Sequence, residues 1–463
     1  MALTKEKNTS EIKDFTEGNL TSHIIKFALP ILLSYFFMIT LNTVDMVVVG
    51  QKYGEAGTSA VAIGASVAMF INAVLTGFSS AIQVIISRFV GSMQSFKISR
   101  FVSTVCSFML LLAIASMGIM IPLIDTMLSL LNTPSEAYTE AYGYSLVCLC
   151  GIIPIFAYHV ISAILRGMGD SKHPFYFIAI ACSLNIALDV LFVTVLDLGV
   201  KGAALATVLA QLVSVLCSVT LLIRKRADFG LTMKPSDFVY WERGSFFDFI
   251  KLGIPMALNT SAIQIAVMAV NAMTNDFGVS VSAFAGIKAN IDTTFTLIIE
   301  AFTIAAAMVI GQNLAAGKIK RVKRSMLTVG VLSVSLSILV SLLFLLFPYT
   351  LFGIFSNEEN VLAIVKEYLP IMVLGFFAMG IRPITKSLVD GSGNKSINII
   401  NALLDAVAAR IGLAIVFGIL LDWGYVGFWF GAALASFVPI IVEVIFFLSG
   451  AWKKSVILEI EEI

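Results

Sequence analysis

Two aspartates lie inside strongly apolar runs of this sequence. Asp45 is in "ITLNTVDMVVVG" at residues 39–50, and Asp189 is in "NIALDVLFV" at residues 185–193. Asn185 precedes Asp189 by four residues, so their side chains share one face of a helix. A charged side chain deep in a bilayer is costly, and two neighbouring acids also repel each other, so together they readily bind a proton or a cation. The pattern predicts a cation- or proton-binding site that includes both aspartates.

Further oxygen donors lie close to these acids along the chain. Thr207 follows in the next apolar run, and Asn42 precedes Asp45 by three residues. At about 1.5 Å of rise per residue, Asp45, Asp189 and Thr207 all come to lie about 7–12 Å below the outer membrane surface. Carboxylate, amide and hydroxyl oxygens suit an alkali ion better than a transition metal. The alternative is a pair of neutral, hydrogen-bonded acids that ties helices together.

A second polar group occupies "AFAGIKANIDTTFTLIIEAFTIAAAM" at residues 283–308. Lys288 and Asp292 are four apart and can pair on one helix. Glu300 has no basic neighbour on its own helix, and Arg410 lies in a later apolar run. One reading is that a Glu300–Arg410 or an Asp405–Arg410 pair neutralises these charges. The other is that Glu300 lines a cavity and meets a cationic substrate, with Asp292 and Arg410 as further candidates for a substrate or second coupling site.

Composition predicts an all-α membrane protein. The chain has 463 residues, of which 59% are hydrophobic and 13% charged, whereas a soluble domain carries about 25% charged residues. A bilayer core requires about 20 apolar residues for each helix. Twelve such runs occur, at approximately 24–50, 60–84, 101–124, 141–164, 174–196, 200–223, 248–272, 281–311, 325–348, 362–387, 397–420 and 425–449.

Basic residues predict the orientation of these spans. One side carries 25 of the 30 Lys and Arg residues, counting those at helix ends, while the other side carries four, and Arg410 lies within a span. The positive-inside rule places both termini in the cytoplasm. We expect the plasma membrane of a prokaryote, and a monomer. The predicted organisation is a cytoplasmic tail, a first set of six helices, a linker, a second set of six helices and a second cytoplasmic tail, at 1–22, 23–223, 224–247, 248–450 and 451–463.

The two sets of six helices repeat one another. A shift of 224 or 225 residues aligns "FALPILL" with "LGIPMAL", "ILRGMGDSK" with "LVDGSGNKS", and "DLGVKG" with "DWGYVG". An even number of spans gives both halves the same direction, as expected for a pseudo-twofold axis along the membrane normal. Pro30 recurs as Pro255, but Asp45 and Asp189 have only apolar counterparts. The acids of the first half therefore require an explanation other than the fold.

Other functional classes are disfavoured by what the sequence contains. A net charge of +1 offers no case for binding nucleic acid. We expect no enzyme activity and no cofactor, because no catalytic constellation or metal-ligand spacing occurs. The five cysteines are predicted to be small core residues. A flippase of lipid-linked oligosaccharide is the alternative transport function, but it requires a strongly basic cavity, for which only Lys288 and Arg410 are candidates.

The stretches "ALPILLSYFFMITLNTVDMVVVG", "ILRGMGDSKHP", "NIALDVLFV" and "GVKGAALAT" resemble the MATE (multidrug and toxic compound extrusion) family, in the superfamily that also contains oligosaccharide-lipid flippases. The resemblance covers nearly all of residues 20–450. It implies two six-helix lobes arranged as a V, and export of organic cations or amphipathic drugs across a lipid membrane in exchange for Na+ or H+. It also implies a cation site formed here by Asp45, Asn185, Asp189 and Thr207.

The sequence departs from this family at the seventh span. Some members carry an acid in the middle of that helix, whereas this chain has Gln264 in "LNTSAIQIAVMAVNA". The departure puts a cation site on that helix in doubt. Glu300 on the following helix is the candidate substitute.

Overall fold

The fold is helical throughout the residues described by the computed structural model, which are 13–92, 94, 96–131, 133–225, 241–355 and 358–453. We number the long helices in chain order: α1 Leu20–Gly54; α2 Ala56–Ala65 and Ile71–Gly91; α3 Phe96–Met120; α4 Ser135–Cys150 and Ile152–Gly167; α5 Lys172–Val195; α6 Val200–Arg224; α7 Arg243–Asn275; α8 Val279–Ala315; α9 Ile319–Leu346; α10 Val365–Ser392; α11 Lys395–Leu420; α12 Gly424–Ala435 and Val438–Ser449. Short helices follow α3 (Ile121–Leu123 and Ile124–Leu130) and separate α9 from α10 (Pro348–Gly353 and Glu359–Ala363).

These helices have the length and composition of membrane spans. Within the described ranges, eleven are long and apolar enough to cross a bilayer, or twelve if the two parts of α4 form one span. Large apolar side chains such as Leu327 (68% exposed) and Leu448 (74% exposed) point outward, as expected where lipid is the solvent. The predicted all-α membrane fold is confirmed.

Two glycines mark breaks in the helices: Gly54 lies between the first two predicted spans, whereas Gly151 lies inside the predicted span 141–164. Gly54 separates α1 from α2 with φ 64°, in the left-handed region that favours glycine. Gly151 divides α4, whose two parts are bent by 48°. A Cβ atom on Gly151 would come within 2.1 Å of the Val208 side chain on α6. The predicted span 141–164 is therefore a bent pair, because close packing against α6 requires glycine at the bend.

Two helices contain π-helical turns, in which each backbone hydrogen bond spans five residues instead of four. α5 ends in one such turn, Val190–Val195. α11 contains two, Ala402–Ile411 and Val416–Leu420. The extra residue in each turn changes which side chains lie above one another. These turns are adjacent to most of the buried charges described below.

The backbone repeats along with the sequence. Asp197 (φ 56°) and Asp422 (φ 57°) adopt the same left-handed conformation in the turns after α5 and α11. Gly199 (φ 69°) and Gly424 (φ 61°) follow them two residues later. All four residues obey the offset of 225 that the sequence comparison gives. The two sets of helices thus share one local chain path.

The described residues divide into two compact units. The first contains residues 13–14 and Leu29–Lys251, and the second contains Phe15–Ala28 and residues 252–453. In the second unit, aromatic side chains form much of the core. Phe284 stacks on Phe352 with ring centroids 5.4 Å apart, Tyr368 packs edge-on against both, and Trp429 packs edge-on against Tyr368.

A short N-terminal strap, Phe15–Gly18, is bound within the second unit. The guanidinium of Arg321 donates to three backbone carbonyl oxygens of the strap, each at 3.1 Å. The Phe15 N–H donates to Gln312 Oε1 at 2.7 Å, and Asn313 Nδ2 donates to the Phe15 carbonyl at 3.1 Å. Gln312 and Asn313 are fully buried. The strap therefore contributes partners to polar groups at the end of α8.

Substitution of Gly427 tests the close packing of α12 against α11. Its missing side chain lets α12 approach the backbone of α11 so closely that a Cβ atom would lie 2.3 Å from the Phe417 carbonyl oxygen. We expect Gly427→Ala to destabilise the protein by about 1–3 kcal/mol or more, as overpacking against backbone does. The measurement is thermal unfolding of the detergent-purified protein.

Gly202 is the matched control, because it occupies the equivalent position in the first unit. There a Cβ atom would meet the Phe192 carbonyl oxygen at 3.2 Å, a contact that small shifts relieve. Gly202→Ala should therefore lower the unfolding midpoint less than Gly427→Ala. Equal effects of the two substitutions would contradict the packing argument.

Candidate functional site

Asp45 is the centre of a buried polar cluster in the first unit. Its side chain on α1 is 1% exposed. Thr207 Oγ1 on α6 donates to Asp45 Oδ2 at 3.0 Å, and Asn185 Nδ2 on α5 donates to Asp45 Oδ1 at 3.3 Å. Asn185 Nδ2 also lies 3.1 Å from Thr207 Oγ1. Residues far apart in the sequence thus meet around one carboxyl group.

Asp189 completes this cluster from the position just before the π-helical turn of α5. Its carboxyl group is fully buried and lies within hydrogen-bonding reach of the Asp45 carboxyl group. Among the described residues, the Asn185 side chain also interacts with the Asp189 carboxyl group, although no well-aligned hydrogen bond reaches either of its oxygens. The structure therefore brings together the four residues that the sequence predicts as a site: Asp45, Asn185, Asp189 and Thr207.

The arrangement lacks a counter-charge. All groups that donate hydrogen bonds to Asp45 are neutral. In the described part of the chain, no Lys, Arg or His side chain forms an ion pair with Asp45 or Asp189. Two unit charges about 4 Å apart repel by about 4 kcal/mol at an effective dielectric constant of about 20. A shared proton or one small monovalent cation removes that repulsion. Oxygen donors from carboxyl, amide and hydroxyl groups are suited to hold either of them.

Tyr144 is a member of the cluster that sequence reasoning missed. Its hydroxyl group, on the first part of α4, donates to Asp45 Oδ2 at 3.3 Å, and the residue is 4% exposed. A tyrosine within an apolar run gives no distinct signal, since its ring alone explains its burial. Asn42, the weaker sequence candidate, lies on α1, but its side chain is outside those the structure describes.

The C-terminal end of α1 is attached to the turn that follows α5. Lys52 Nζ pairs with Asp197 at 2.7 Å and donates to the carbonyl oxygen of Val193 at 2.9 Å, in the π-helical turn. Tyr53 donates to the same aspartate at 2.6 Å. Hydrogen bonds from Lys52 and Tyr53 and the charge of Lys52 lower the pKa of Asp197. These contacts tie together the two helices that carry the acidic pair.

In the second unit, Asp405 joins two arginines. Arg410 Nη2 lies 3.0 Å from Asp405 Oδ1, and Arg382 Nη2 on α10 lies 3.2 Å from Asp405 Oδ2. Of the two pairings that the sequence allows for Arg410, the structure contains the one with Asp405. Asp405 and Arg410 are five residues apart, and the π-helical turn Ala402–Ile411 places such a pair one above the other. The carboxylate is fully buried.

Glu300 forms a different ion pair from the one proposed with Arg410. Glu300 Oε1 lies 3.2 Å from Lys386 Nζ on α10, and the same ammonium lies 2.9 Å from Asp390 Oδ2. Glu300 is the most exposed of these three side chains, at 34%. The sequence predicts that Lys386 and Arg382 are basic residues at a helix end. In the structure both lie inside α10.

The remaining polar candidates lie on α7 and α8. Lys288 Nζ pairs with Asp292 Oδ2 at 2.7 Å, so the predicted pair along one helix is present. Tyr368 also donates to Asp292 at 3.4 Å. Gln264 lies half-buried on α7. Glu443 on α12 is buried and accepts hydrogen bonds from neutral side chains, those of Thr385 at 2.6 Å and Asn401 at 2.9 Å.

Membrane-length helices in two repeated sets, with a cluster of oxygen donors buried inside the first set, are typical of a multi-pass membrane transport protein. The MatE family model matches residues 30–191 and 255–420, two segments that begin 225 residues apart. The chain therefore belongs to the MatE family, the multidrug and toxic compound extrusion transporters.

Relatives cover almost the whole chain. It is 27% identical over 444 residues to the "Probable multidrug resistance protein YpnP" of Bacillus subtilis, covering 95% of this chain and 97% of that protein. It is 25% identical over 453 residues to the "Probable multidrug resistance protein NorM" of Thermotoga maritima, covering 96% of each. The "FAD transporter" of Shewanella oneidensis is 22% identical over 77% of this chain and 79% of its own length.

Solved structures share the fold. A transporter of the MOP superfamily from Pyrococcus furiosus superposes with a TM-score of 0.85 at 22% identity, covering 98% of this chain and all of that one. A MATE protein described in a bent conformation superposes with a TM-score of 0.86 at 22% identity over 98% of this chain. At this level of identity the likeness establishes the fold alone.

Proposed function

We propose that this chain is a secondary active exporter of organic cations and amphipathic drugs, driven by exchange for H+ or Na+ through alternating access. Family membership and two relatives named as multidrug resistance proteins support the substrate class. A structural neighbour described as an outward-facing multidrug resistance transporter supports the alternating-access mechanism.

The observation that carries this proposal is the buried, uncompensated acidic pair of Asp45 and Asp189. Such a pair is costly in a membrane protein unless it has a task. When the pair is empty and charged, its repulsion pushes α1 away from α5. When a proton or cation binds, the same groups hold α1, α5 and α6 together. Occupancy of the site therefore changes the free energy of one helix arrangement against another.

Coupling follows from that difference. If cation binding lowers the affinity for drug, drug binding must lower the affinity for the cation by the same factor. In one-for-one exchange for a monovalent organic cation no net charge crosses the membrane, so a tenfold inward concentration gradient of the coupling ion supplies about 1.4 kcal/mol. Glu300 is the proposed contact for a cationic substrate in the second unit. Asp292, Arg410, Gln264 and Asn42 are further candidates there and at the coupling site.

The proposed setting is a prokaryotic plasma membrane, with both termini in the cytoplasm and the chain acting as a monomer. The excess of Lys and Arg on one side of the spans supports this orientation. No resident cofactor is required, because the coupling ion and the substrate are both transient ligands.

The test is efflux from liposomes that contain the purified protein. Ethidium or norfloxacin is loaded inside, and a proton gradient or a sodium gradient is imposed separately. We expect one gradient to drive export and the matching ionophore to stop it. Substrate movement that ignores both gradients would overturn the proposal. The comparison also identifies the coupling ion.

A further inference from the structure

Two groups of three charged side chains in the second unit carry opposite net charge. In the first group, the fully buried Asp405 is held between two guanidinium groups. In the second group, one ammonium, that of Lys386, is shared between Glu300 and Asp390. The first group has a surplus positive charge and the second a surplus negative charge. Only the second group can accept another cation without losing its own.

The second group is also the more open one. The side chain of Glu300 is 34% exposed and that of Lys386 is 26% exposed, whereas Asp390 is 14% exposed. Charged groups on membrane helices face a water-filled cavity or protein, because exposure to lipid is too costly. The partly exposed edge of this group therefore faces water. An ion pair that is partly hydrated is weak and exchanges readily.

Lys386 has two resting places. It lies four residues before Asp390 on α10, a spacing that brings the two side chains together on one helix face. Its contact with Asp390 is the shorter of the two, 2.9 Å against 3.2 Å to Glu300. The ammonium can therefore leave Glu300 and remain paired with Asp390. Arg382 lies within electrostatic range of both acids, but its guanidinium is bound by Asp405.

We propose that Lys386 is a tethered competitor of the substrate: its ammonium occupies Glu300 at rest, and an organic cation binds by displacing it towards Asp390. This inference rests on the proposed function, in which Glu300 contacts cationic substrates. It makes Lys386 a residue that determines specificity. A substrate with a fixed positive charge can pair with Glu300 only by displacing the Lys386 ammonium. The affinity for a neutral molecule does not depend on Lys386.

The test compares two substitutions with opposite expected effects. Lys386→Met removes the competitor, so we expect ethidium to bind about threefold to fivefold more tightly, the size typical of a partly exposed ion pair. Asp390→Asn removes the second resting place and holds the lysine on Glu300, so ethidium should bind more weakly by a similar factor. The measurement is fluorescence titration of the detergent-purified protein without any gradient.

Three controls separate competition from a general change in structure. Lys366→Met alters an exposed lysine on the same helix and should leave the affinity unchanged. Adding Glu300→Gln to Lys386→Met should remove the gain. The affinity for a neutral dye such as Nile red should be the same in all variants, and a parallel change in both dyes would indicate a structural role.

The outcomes distinguish this inference from the proposed function. If wild type exports ethidium but Lys386→Met binds it no more tightly, the proposed role of Lys386 is wrong and the proposed export function is unaffected. The same conclusion follows if Asp390→Asn tightens binding. A wild-type protein that moves no ethidium under either gradient counts against the proposed function itself. If Lys386→Met does not fold, the weaker binding expected of Asp390→Asn still decides the matter.

Discussion

Asp189→Asn is expected to abolish gradient-driven efflux while leaving the protein folded. Within the described structure no well-aligned hydrogen bond reaches the Asp189 carboxyl group, and Asn185 is its only neutral side-chain neighbour with an interaction, so an amide of equal size disturbs little. Its NH2 group can donate to Asp45, which imitates a site that is already occupied. The substitution removes the charge whose binding is proposed to drive transport. The remaining protein should move substrate only down its own gradient.

The expected loss is large because the coupling energy is lost as a whole. One-for-one exchange of a monovalent ion for ethidium moves no net charge, so the coupling energy is that of the ion's concentration gradient. Each tenfold gradient supplies about 1.4 kcal/mol and supports about a tenfold ratio of ethidium concentrations across the membrane. Steady-state accumulation of ethidium in inverted vesicles measures this ratio. Wild type should approach it under the driving gradient, and Asp189→Asn should show none.

Two further variants, one inside the site and one outside it, serve as comparisons for Asp189→Asn. Asp45→Asn should also uncouple transport, but it disturbs hydrogen bonds from three partners and so tests folding as well. Asp248→Asn alters an exposed carboxylate in the same unit and should behave as wild type. Export by Asp189→Asn at the wild-type rate and to the wild-type level would remove the basis of the proposed coupling.

Asp405→Ala is expected to be among the most destabilising single substitutions in the second unit. It leaves Arg382 and Arg410 next to each other inside the protein without the carboxylate that separates them. Removal of one partner from a buried ion pair costs about 3–5 kcal/mol, because the remaining charge stays buried and uncompensated. Here two charges lose their shared partner. Thermal unfolding in detergent, followed by circular dichroism, measures the loss.

A second substitution can relieve the damage. In the double variant Asp405→Ala with Arg410→Met, only one guanidinium remains, and Arg382 has other acids within electrostatic range. We expect the double variant to unfold at a higher temperature than Asp405→Ala alone. If the second substitution lowers the unfolding temperature further, the three groups do not act as one unit.

The candidate site could be predicted from the sequence because depth along a membrane helix follows from residue count. Asp45, Asp189 and Thr207 lie on three helices, yet their distances from the helix ends place them at one level, and the structure joins them. Tyr144 could not be found in this way, since the sequence does not reveal how the two parts of α4 turn about Gly151.

The charges of the second unit show where such reasoning fails. Lys386 lies inside α10 although the sequence predicts it at a helix end, because apolar runs predict helix ends only within a few residues. The pair Asp405–Arg410 could be named but not selected, since five residues do not share a face of an α-helix. The π-helical turn that aligns them has no recognisable sequence signal. The sequence thus predicts which acidic and basic residues can pair, but only the backbone structure shows which of the possible pairs form.

The N-terminal strap sets a limit on how this protein can be engineered. Truncation beyond Asp14 would withdraw the backbone partners that Phe15–Gly18 offer to Arg321 and Asn313. The end of α8 would then be opened to water at its most tightly buried amides. A purification tag or reporter fused to the front of the chain should therefore be joined upstream of the strap, with a linker that leaves residues 15–18 in place.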